Sequence, residues 1–428
     1  MLSVLGIVVF VLGLLGSIAL HEVGHMVPAK KFGVRVPQYM VGFGPTLWSK
    51  VRGETEYGIK AIPMGGYIRM IGMYPPAVRD RSEKSGRFSS MIEESRWESL
   101  QEVNDGEEHR TFYSLSVPKK LVVMFGGPFM NLVLAFILFA VSLSVIGSLA
   151  PTTQVQSIVT CVPTAANVDG LASTDGSCGN GAASSAALLG IQPGDVLTSV
   201  NGQAINKWFD LSSSLNGTAG RDVLVTLKRK GESITASVRM TAITDPTLAR
   251  APGQGFLGVS PHMATERLPL AQVPGVVSEQ TQSALQALIG FPKAVVTLGK
   301  TLTSDAPRDP TGPVGVIGIG RITGEISSDE QFSTSTKIGT LIGLLASLNL
   351  FLFLFNLVPI LPLDGGHIAS ALFEGIRRSI ARLRNISPLP GPSDTARMLP
   401  MTYFVAIIMI GTSILVAIAD IVKPITLG

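Results

Sequence analysis

Four stretches of the chain run almost without charge, at about 2–27, 119–149, 338–361 and 402–422, each near the roughly twenty residues that a helix needs to cross a bilayer. No charged residue occurs from Leu2 to Leu20. The third stretch, IGTLIGLLASLNLFLFLFNLVPILP, stays apolar up to its prolines, and the fourth, TYFVAIIMIGTSILVAIADIV, carries Asp420 near its end. Between the spans the period changes. After Phe32, short β-branched runs broken by glycine and proline read as strands and turns. Residues 79–111 are densely charged with few large apolar groups, which predicts a mobile or surface segment. Beyond the second span, GIQPGDVLTSVNGQAI (190–205) predicts a turn, a strand, an Asn-Gly turn and the start of another strand. RDVLVTLKRKGESITASVRM (221–240) predicts a hairpin turning at Lys230-Gly231, and GFLGVSP (255–261) a last short strand. A helix is expected at about 208–216 and a loop over the Gly/Ser/Ala-rich residues 167–187.

These segments predict a membrane α-helical protein with four transmembrane helices, a membrane-associated β-sheet and a separate β-rich domain. The expected divisions are a first transmembrane helix at 1–28, a β-rich segment and charged loop at 29–118, and a second transmembrane helix at 119–149. A β-rich domain at 150–262, a connector at 263–337 and a third transmembrane helix at 338–364 follow, then a loop at 365–401 and a fourth transmembrane helix at 402–423. Composition agrees: 46% of the 428 residues are apolar, 15% are charged, and the mean hydropathy is +0.39. A net charge of +4 is small for this length and argues against nucleic acid as a partner. The N-terminal run has no preceding Lys or Arg, so it reads as a retained span rather than a signal peptide.

Charge orients the spans. Lys30, Lys31 and Arg35 follow the first, Lys119 and Lys120 open the second, and Arg377 and Arg378 follow the third. Placing all of these in the cytoplasm satisfies the positive-inside rule. Both termini and the β-rich domain are then extracytoplasmic, while 28–118 and 362–401 are cytoplasmic. Cys161 and Cys178 could form a disulfide in that compartment; two unpaired thiols are the alternative.

Against this apolar background the stretch ALHEVGHMV stands out. Ionisable residues inside a span are costly and usually functional. His21 and His25 lie four apart and share one helix face, the HExxH arrangement in which two imidazoles bind Zn²⁺ and the intervening Glu22 is the general base. Such a site needs a third protein ligand. Spans one and three run in the same direction, so their C-terminal ends share one face of the membrane. NLVPILPLDGGHI (356–368) therefore offers Asp364, with His367 as a supporting residue. At 1.5 Å per residue His21 sits roughly 25–30 Å from the outer surface, at the cytoplasmic edge of the hydrocarbon. Asn356, costly in an apolar run if unpaired, is a candidate for holding substrate backbone or an oxyanion, or else for joining helices.

With these residues in view, the sequence resembles the site-2 protease family of intramembrane zinc metalloproteases. HEVGH matches that family's first motif, and NLVPILPLDGG its second, with Asp364 as third ligand. FGGPFMNLVLAF (125–136), holding Asn131, resembles a segment near the family's substrate path. The resemblance implies a PDZ domain in the extracytoplasmic loop. GIQPGDVLTSVNGQAI looks like a PDZ core, and GFLGVSP resembles a carboxylate-binding strand displaced to the domain's end. Such a groove either binds a peptide or substrate ectodomain by strand addition or filters access by size. The layout looks most like actinobacterial members that process anti-sigma factors. It implies a membrane endopeptidase that cuts single-span proteins already shortened by another protease. GIKAIPMGGYIRM (58–70), with Tyr67 in it, could clamp the unwound substrate as an added strand or else serve only cytoplasmic packing. The alternative is a non-proteolytic zinc-containing scaffold acting through its PDZ domain. Glu22 speaks against it, since binding zinc alone does not need that residue.

Overall fold

The uncharged opening run folds as one helix, α1 (Leu2–Lys31), with Lys30 and Lys31 in its last turn. From Gly6 on it is apolar on nearly every face up to Leu20, as suits a helix that meets other helices on one side and lipid on the other. The computed structural model describes residues 2–76, 87–163, 178, 181–242, 253–304, 308–309, 312–328 and 333–425. Contacts divide the chain into two units, Met1–Ile146 with Leu268–Gly428, and Gly147–Arg267.

After α1 come two long antiparallel strands, β1 (Gln38–Arg52) and β2 (Thr55–Arg69). Residues 38–41 pair on one side with 56–59 and on the other with 66–69, so both strands fold back on themselves. The bends fall at Gly42, Gly44 and Gly65, with φ of +93°, +82° and +110°, values that glycine adopts without a Cβ clash. Segment 66–69 is left as an outer edge. The charged segment expected to be mobile is partly helical: α2 (Arg87–Gln101) is held by Arg96, whose guanidinium pairs with Asp394. Residues 79–86 of it lie outside the described residues. The second span is α3 (Val117–Ala140), extended by a wider π-helical turn to Ile146. It stops short of the expected residue 149 because Ser148 already belongs to a sheet.

The second unit is built on β3 (Ser148–Ile158), α4 (Ser185–Leu188), β4 (Val196–Val200), β5 (Gln203–Ala204), α5 (Trp208–Ser214), β6 (Asp222–Arg229), β7 (Glu232–Arg239) and β8 (Val259–Glu266). The sheet order is β7-β6-β4-β3-β8, with β5 on β4. Alternation in β6 turns Val223, Val225 and Leu227 into a core with Leu197, Val200 and Leu211. The hairpin turns at Lys230 and Gly231, both at positive φ, as its twist requires. The helix expected at 208–216 is α5. The last strand lies later than expected, at 259–266, where it pairs with β3, and part of the expected loop 167–187 is the short helix α4. Cys161 and Cys178 are joined as a disulfide.

The expected connector 263–337 is largely helical, with α6 (Val273–Leu302) and α7 (Val316–Ser328). The third span is α8 (Thr334–Asn356). It does not run to residue 364. Pro359 and Pro362 lack amide protons and push the preceding residues out of helical geometry, so the chain makes a turn. The expected loop 365–401 instead begins with a helix, α9 (Asp364–Leu383), in which Asp364 occupies the first turn. Helix α10 (Leu399–Val422) completes the unit. Four segments are long and apolar enough to cross a membrane: Gly6–Lys31, Val117–Ile146, Thr334–Asn356 and Thr395–Val422.

Several polar groups buried between these helices find partners in one another. Asn349 of α8 donates to Ser17 Oγ of α1 at 2.9 Å. Asp420 of α10 accepts from Arg308 and from the backbone N–H groups of Gly315 and Gly318, each at 2.9 Å, which caps the start of α7.

In the second unit Asp195, with its side chain only 2% exposed, accepts from Arg229 Nε and Nη2 at 2.9 and 2.8 Å and from the Gln192 N–H at 2.8 Å. The Arg229 hydrogen bonds hold this carboxyl below its ordinary value of 3.8. A lowered folded-state value means that the contribution is complete above the unfolded pKa and fades as pH falls through the folded one. Asp195→Asn should therefore cost the unit about 1.5–3 kcal/mol at neutral pH. The loss should shrink below about pH 4, as read from thermal unfolding followed by Trp208 fluorescence in the full chain.

Candidate metal centre

The site starts from one turn of α1. His21 and His25 lie four positions apart, and their rings meet edge to face with centroids 4.8 Å apart. Their Nε2 atoms lie 3.2 Å from each other. Asp364, delivered by the first turn of α9, places Oδ2 3.3 Å from each Nε2. The three donors thus form a nearly equilateral triangle. Zinc bonds of about 2.0–2.1 Å in tetrahedral geometry place neighbouring donors about 3.3–3.4 Å apart. The residues present fit that ion, and three protein ligands leave a fourth position for water or substrate. Among the described residues this is the group of His, Cys, Asp and Glu side chains spaced to hold a metal.

Each imidazole is oriented from behind. His25 Nδ1 donates to the Val123 carbonyl of α3 at 2.8 Å, which keeps the proton on Nδ1 and the Nε2 lone pair free for metal. His21 Nδ1 lies 3.2 Å from the amide of Asn131, a buried α3 residue whose Oδ1 has no partner among the described residues. A half-turn of that amide gives the Nδ1–H an oxygen acceptor and satisfies both groups. Asn131 therefore joins the site as a support for a ligand.

Glycines allow α3 to come this close. A Cβ on Gly126 would lie 2.0 Å from the Gly24 carbonyl oxygen, and one on Gly24 would lie 2.3 Å from that of Gly126. Gly127 is tighter against the chemistry, because a Cβ there would fall 2.1 Å from His25 Nε2. The FGGPFMN stretch is thus the contact face that seats the second imidazole. On the other side, Gly365 and Gly366 let the turn fold onto the start of α9; a Cβ on Gly365 would lie 2.2 Å from the Val358 carbonyl.

Glu22 is buried at 9% exposure, within electrostatic reach of both histidines and Asp364. The outer edge of β2 lies beside it, since a Cβ on Gly66 would sit 3.1 Å from Glu22 Cγ. Tyr67 is not brought to the metal triangle. Its ring stacks on Phe43, with centroids 6.1 Å apart, and Lys60 lies over it. Asn356 closes α8 half-buried, with no side-chain hydrogen bond among the described residues. The helix-joining role considered for it belongs to Asn349, two turns earlier. His367 lies outside the triangle and lines a small cavity with Lys120 and Glu374, themselves paired at 2.8 Å. Sequence reading missed Asn349, Ser17 and the Val123 carbonyl. The amide in an apolar helix was a signal for Asn349; a backbone acceptor leaves no trace in residue type.

Comparison with known proteins finds zinc metalloproteases. The profile of peptidase family M50 matches residues 9–387. The chain is 32% identical to the zinc metalloprotease Rip1 of Mycobacterium tuberculosis over the full length of both, and 30% identical to Rip1 of Mycolicibacterium smegmatis, covering 99% of this chain and 98% of that one. It is 26% identical to the zinc metalloprotease RasP of Shouchella clausii, covering 83% of this chain and 87% of RasP.

Gly127→Ala should displace His25 and abolish stoichiometric zinc. Asn131→Ala should weaken zinc by about 10–100-fold, as loss of a hydrogen bond behind a ligand does. Metal analysis after dialysis against graded chelator measures both. Wild-type zinc retention by Gly127→Ala would show that this close approach does not seat the ligand.

Proposed function

The chain belongs to peptidase family M50, the site-2 protease family of zinc metalloproteases, and from that premise we propose that His21, His25 and Asp364 hold the catalytic zinc and Glu22 moves the proton in an intramembrane endopeptidase. The protein is a multi-pass membrane protein with zinc as its cofactor. The observation that carries the residue assignment is the triangle of donors at 3.2–3.3 Å, drawn from two helices far apart in sequence.

Bound zinc supplies Lewis acidity, lowering the pKa of a water and polarising the scissile carbonyl. Glu22 takes the proton of the attacking water and delivers it to the leaving amine. Val123 and Asn131 keep both imidazoles in the tautomer that leaves Nε2 free. Asn356 contributes a hydrogen bond to the substrate carbonyl. The open edge of β2 at 66–69 runs beside Glu22 and accepts an unwound substrate as a further strand. A helical substrate must unwind, because its own hydrogen bonds hide the carbonyl under attack.

The substrate in this reading is a single-span membrane protein such as an anti-sigma factor, already shortened outside the membrane. Its cut releases a cytoplasmic fragment that changes transcription. Basic residues at the span ends support a cytoplasmic hairpin and an extracytoplasmic second unit. That unit acts as a PDZ-type domain, taking a peptide or substrate ectodomain or filtering by size. The Cys161–Cys178 disulfide agrees with an oxidising compartment.

Glu22→Gln keeps the ligand set and removes the base. It should retain zinc while cleavage of a co-expressed, pre-shortened anti-sigma factor falls by at least about 100-fold, followed by the cytoplasmic fragment on immunoblots. Cleavage at the wild-type rate would end the assignment of Glu22.

A further inference from the structure

Helix α9 carries its apolar residues on the wrong side for a soluble protein. Its buried positions are small or charged: Gly365, Gly366, Ala371, Glu374 and Ala381. Its large apolar residues face outward, with Leu372 49%, Phe373 58%, Ile376 60%, Ile380 44% and Leu383 84% exposed. They recur at helical spacing and make one continuous stripe. A helix with this pattern, too polar overall to span, lies in the plane of a membrane interface. Short connections tether both of its ends to apolar helices. Helix α9 starts eight residues after α8 ends at Asn356, and α10 starts at Leu399, sixteen residues after α9 ends at Leu383. Both neighbours are candidate spans.

Charge names the occupant. Arg377 and Arg384 flank the stripe on one side. Neither has a carboxylate partner among the described residues, whereas Arg378 is held by Glu374 at 2.9 Å. The Arg377 guanidinium lies over the Phe373 ring, 5.8 Å from its centroid. It donates to the Gly391 carbonyl and keeps a buried Nε–H with no partner. Beside it opens a cavity of about 620 Å³, walled by Phe373 and Arg377 of α9, Pro359 of the metal-site turn, and Ser393, Asp394 and Arg397 of the chain before α10. The carboxylate in this wall is already engaged, since Asp394 pairs with Arg96 and, at 3.2 Å, with Arg397.

We propose that this cavity and stripe form a binding site for an anionic phospholipid, with the phosphate at Arg377 and Arg384 and the acyl chains along Phe373, Ile376, Ile380 and Leu383. The inner face of α9 is pinned to the helical core, with Glu374 accepting from Lys120 and from the Ser393 N–H at 2.8 and 3.0 Å. The helix therefore transmits the depth of its lipid to its first turn, where Asp364 stands. Lipid charge in the leaflet bounding this loop is thereby linked to the site of the third ligand. The proposal rests on the reading above only in placing that leaflet on the cytoplasmic side and in taking Asp364 as a ligand.

The test uses the full chain in nanodiscs of phosphatidylcholine with a minority of phosphatidylglycerol, ejected into a mass spectrometer so that retained lipids are counted. Wild-type protein should retain phosphatidylglycerol well above its share. Arg377→Gln with Arg384→Gln should reduce that enrichment roughly tenfold, since each arginine near an anionic surface contributes a severalfold preference. Replacing both by Lys should preserve it, and Lys228→Gln in the second unit should leave it unchanged. Inorganic phosphate added to the disc should not displace the lipid. Equal retention of the two lipids, undiminished enrichment in the double Gln variant, or displacement by free phosphate would each overturn the proposal. Lipid counting does not depend on peptide cleavage, so failure of this site and failure of the protease reading give separate results.

Discussion

Two imidazoles and one carboxylate converge within 3.3 Å of one another in a largely apolar helical bundle, and the packing of the neighbouring helices is arranged around that meeting. Unpaired, these groups would be expensive in a low-dielectric interior. A divalent cation held by these three side chains would turn the cost into cohesion, since both imidazole lone pairs and the carboxylate would then be matched. The packing then follows. Helix α3 must approach α1 closely enough to present the Val123 carbonyl and Asn131, which only glycines at 24, 126 and 127 allow. Helix α9 must begin at the end of α8 rather than continue it, which Pro359 and Pro362 enforce.

The same rule governs polar groups elsewhere in this unit. Asn349 with Ser17, Asp420 with Arg308 and the capped start of α7, and Glu374 with Lys120 are each buried and each partnered. In membrane helices such contacts replace the hydrophobic force that cannot distinguish a neighbouring helix from lipid. The Gly24–Gly126 crossing does so by close packing instead. The second unit is held by the rule for soluble proteins, with an alternating β6 covering an aliphatic core.

Most of the candidate site was legible because its chemistry is local. HEVGH needs only helical periodicity to bring His21 and His25 together, and four long apolar runs identify themselves by length. The direction of the chain through those spans was enough to bring Asp364 to the same end as HEVGH. The hairpin at Lys230-Gly231 was equally readable, since its backbone twist demands positive φ at both residues. Which residue of the 58–70 segment meets the site was not readable, because a folded-back strand turns alternate residues to opposite sides and only the register places Gly66 against Glu22.

Residue type and short-range spacing were enough to single out the candidate ligands and base, the number of runs apolar enough to cross a bilayer, and the places where proline and glycine interrupt them. Packing between distant segments settled that Asp364 opens a helix of its own, that Asn131 stands behind His21, that Asn349 rather than Asn356 joins α8 to α1, and that α9 turns its large apolar residues outward. Those outcomes depend on which surfaces meet across long separations in the chain, where the free energy of close approach is shared among residues that no local pattern relates.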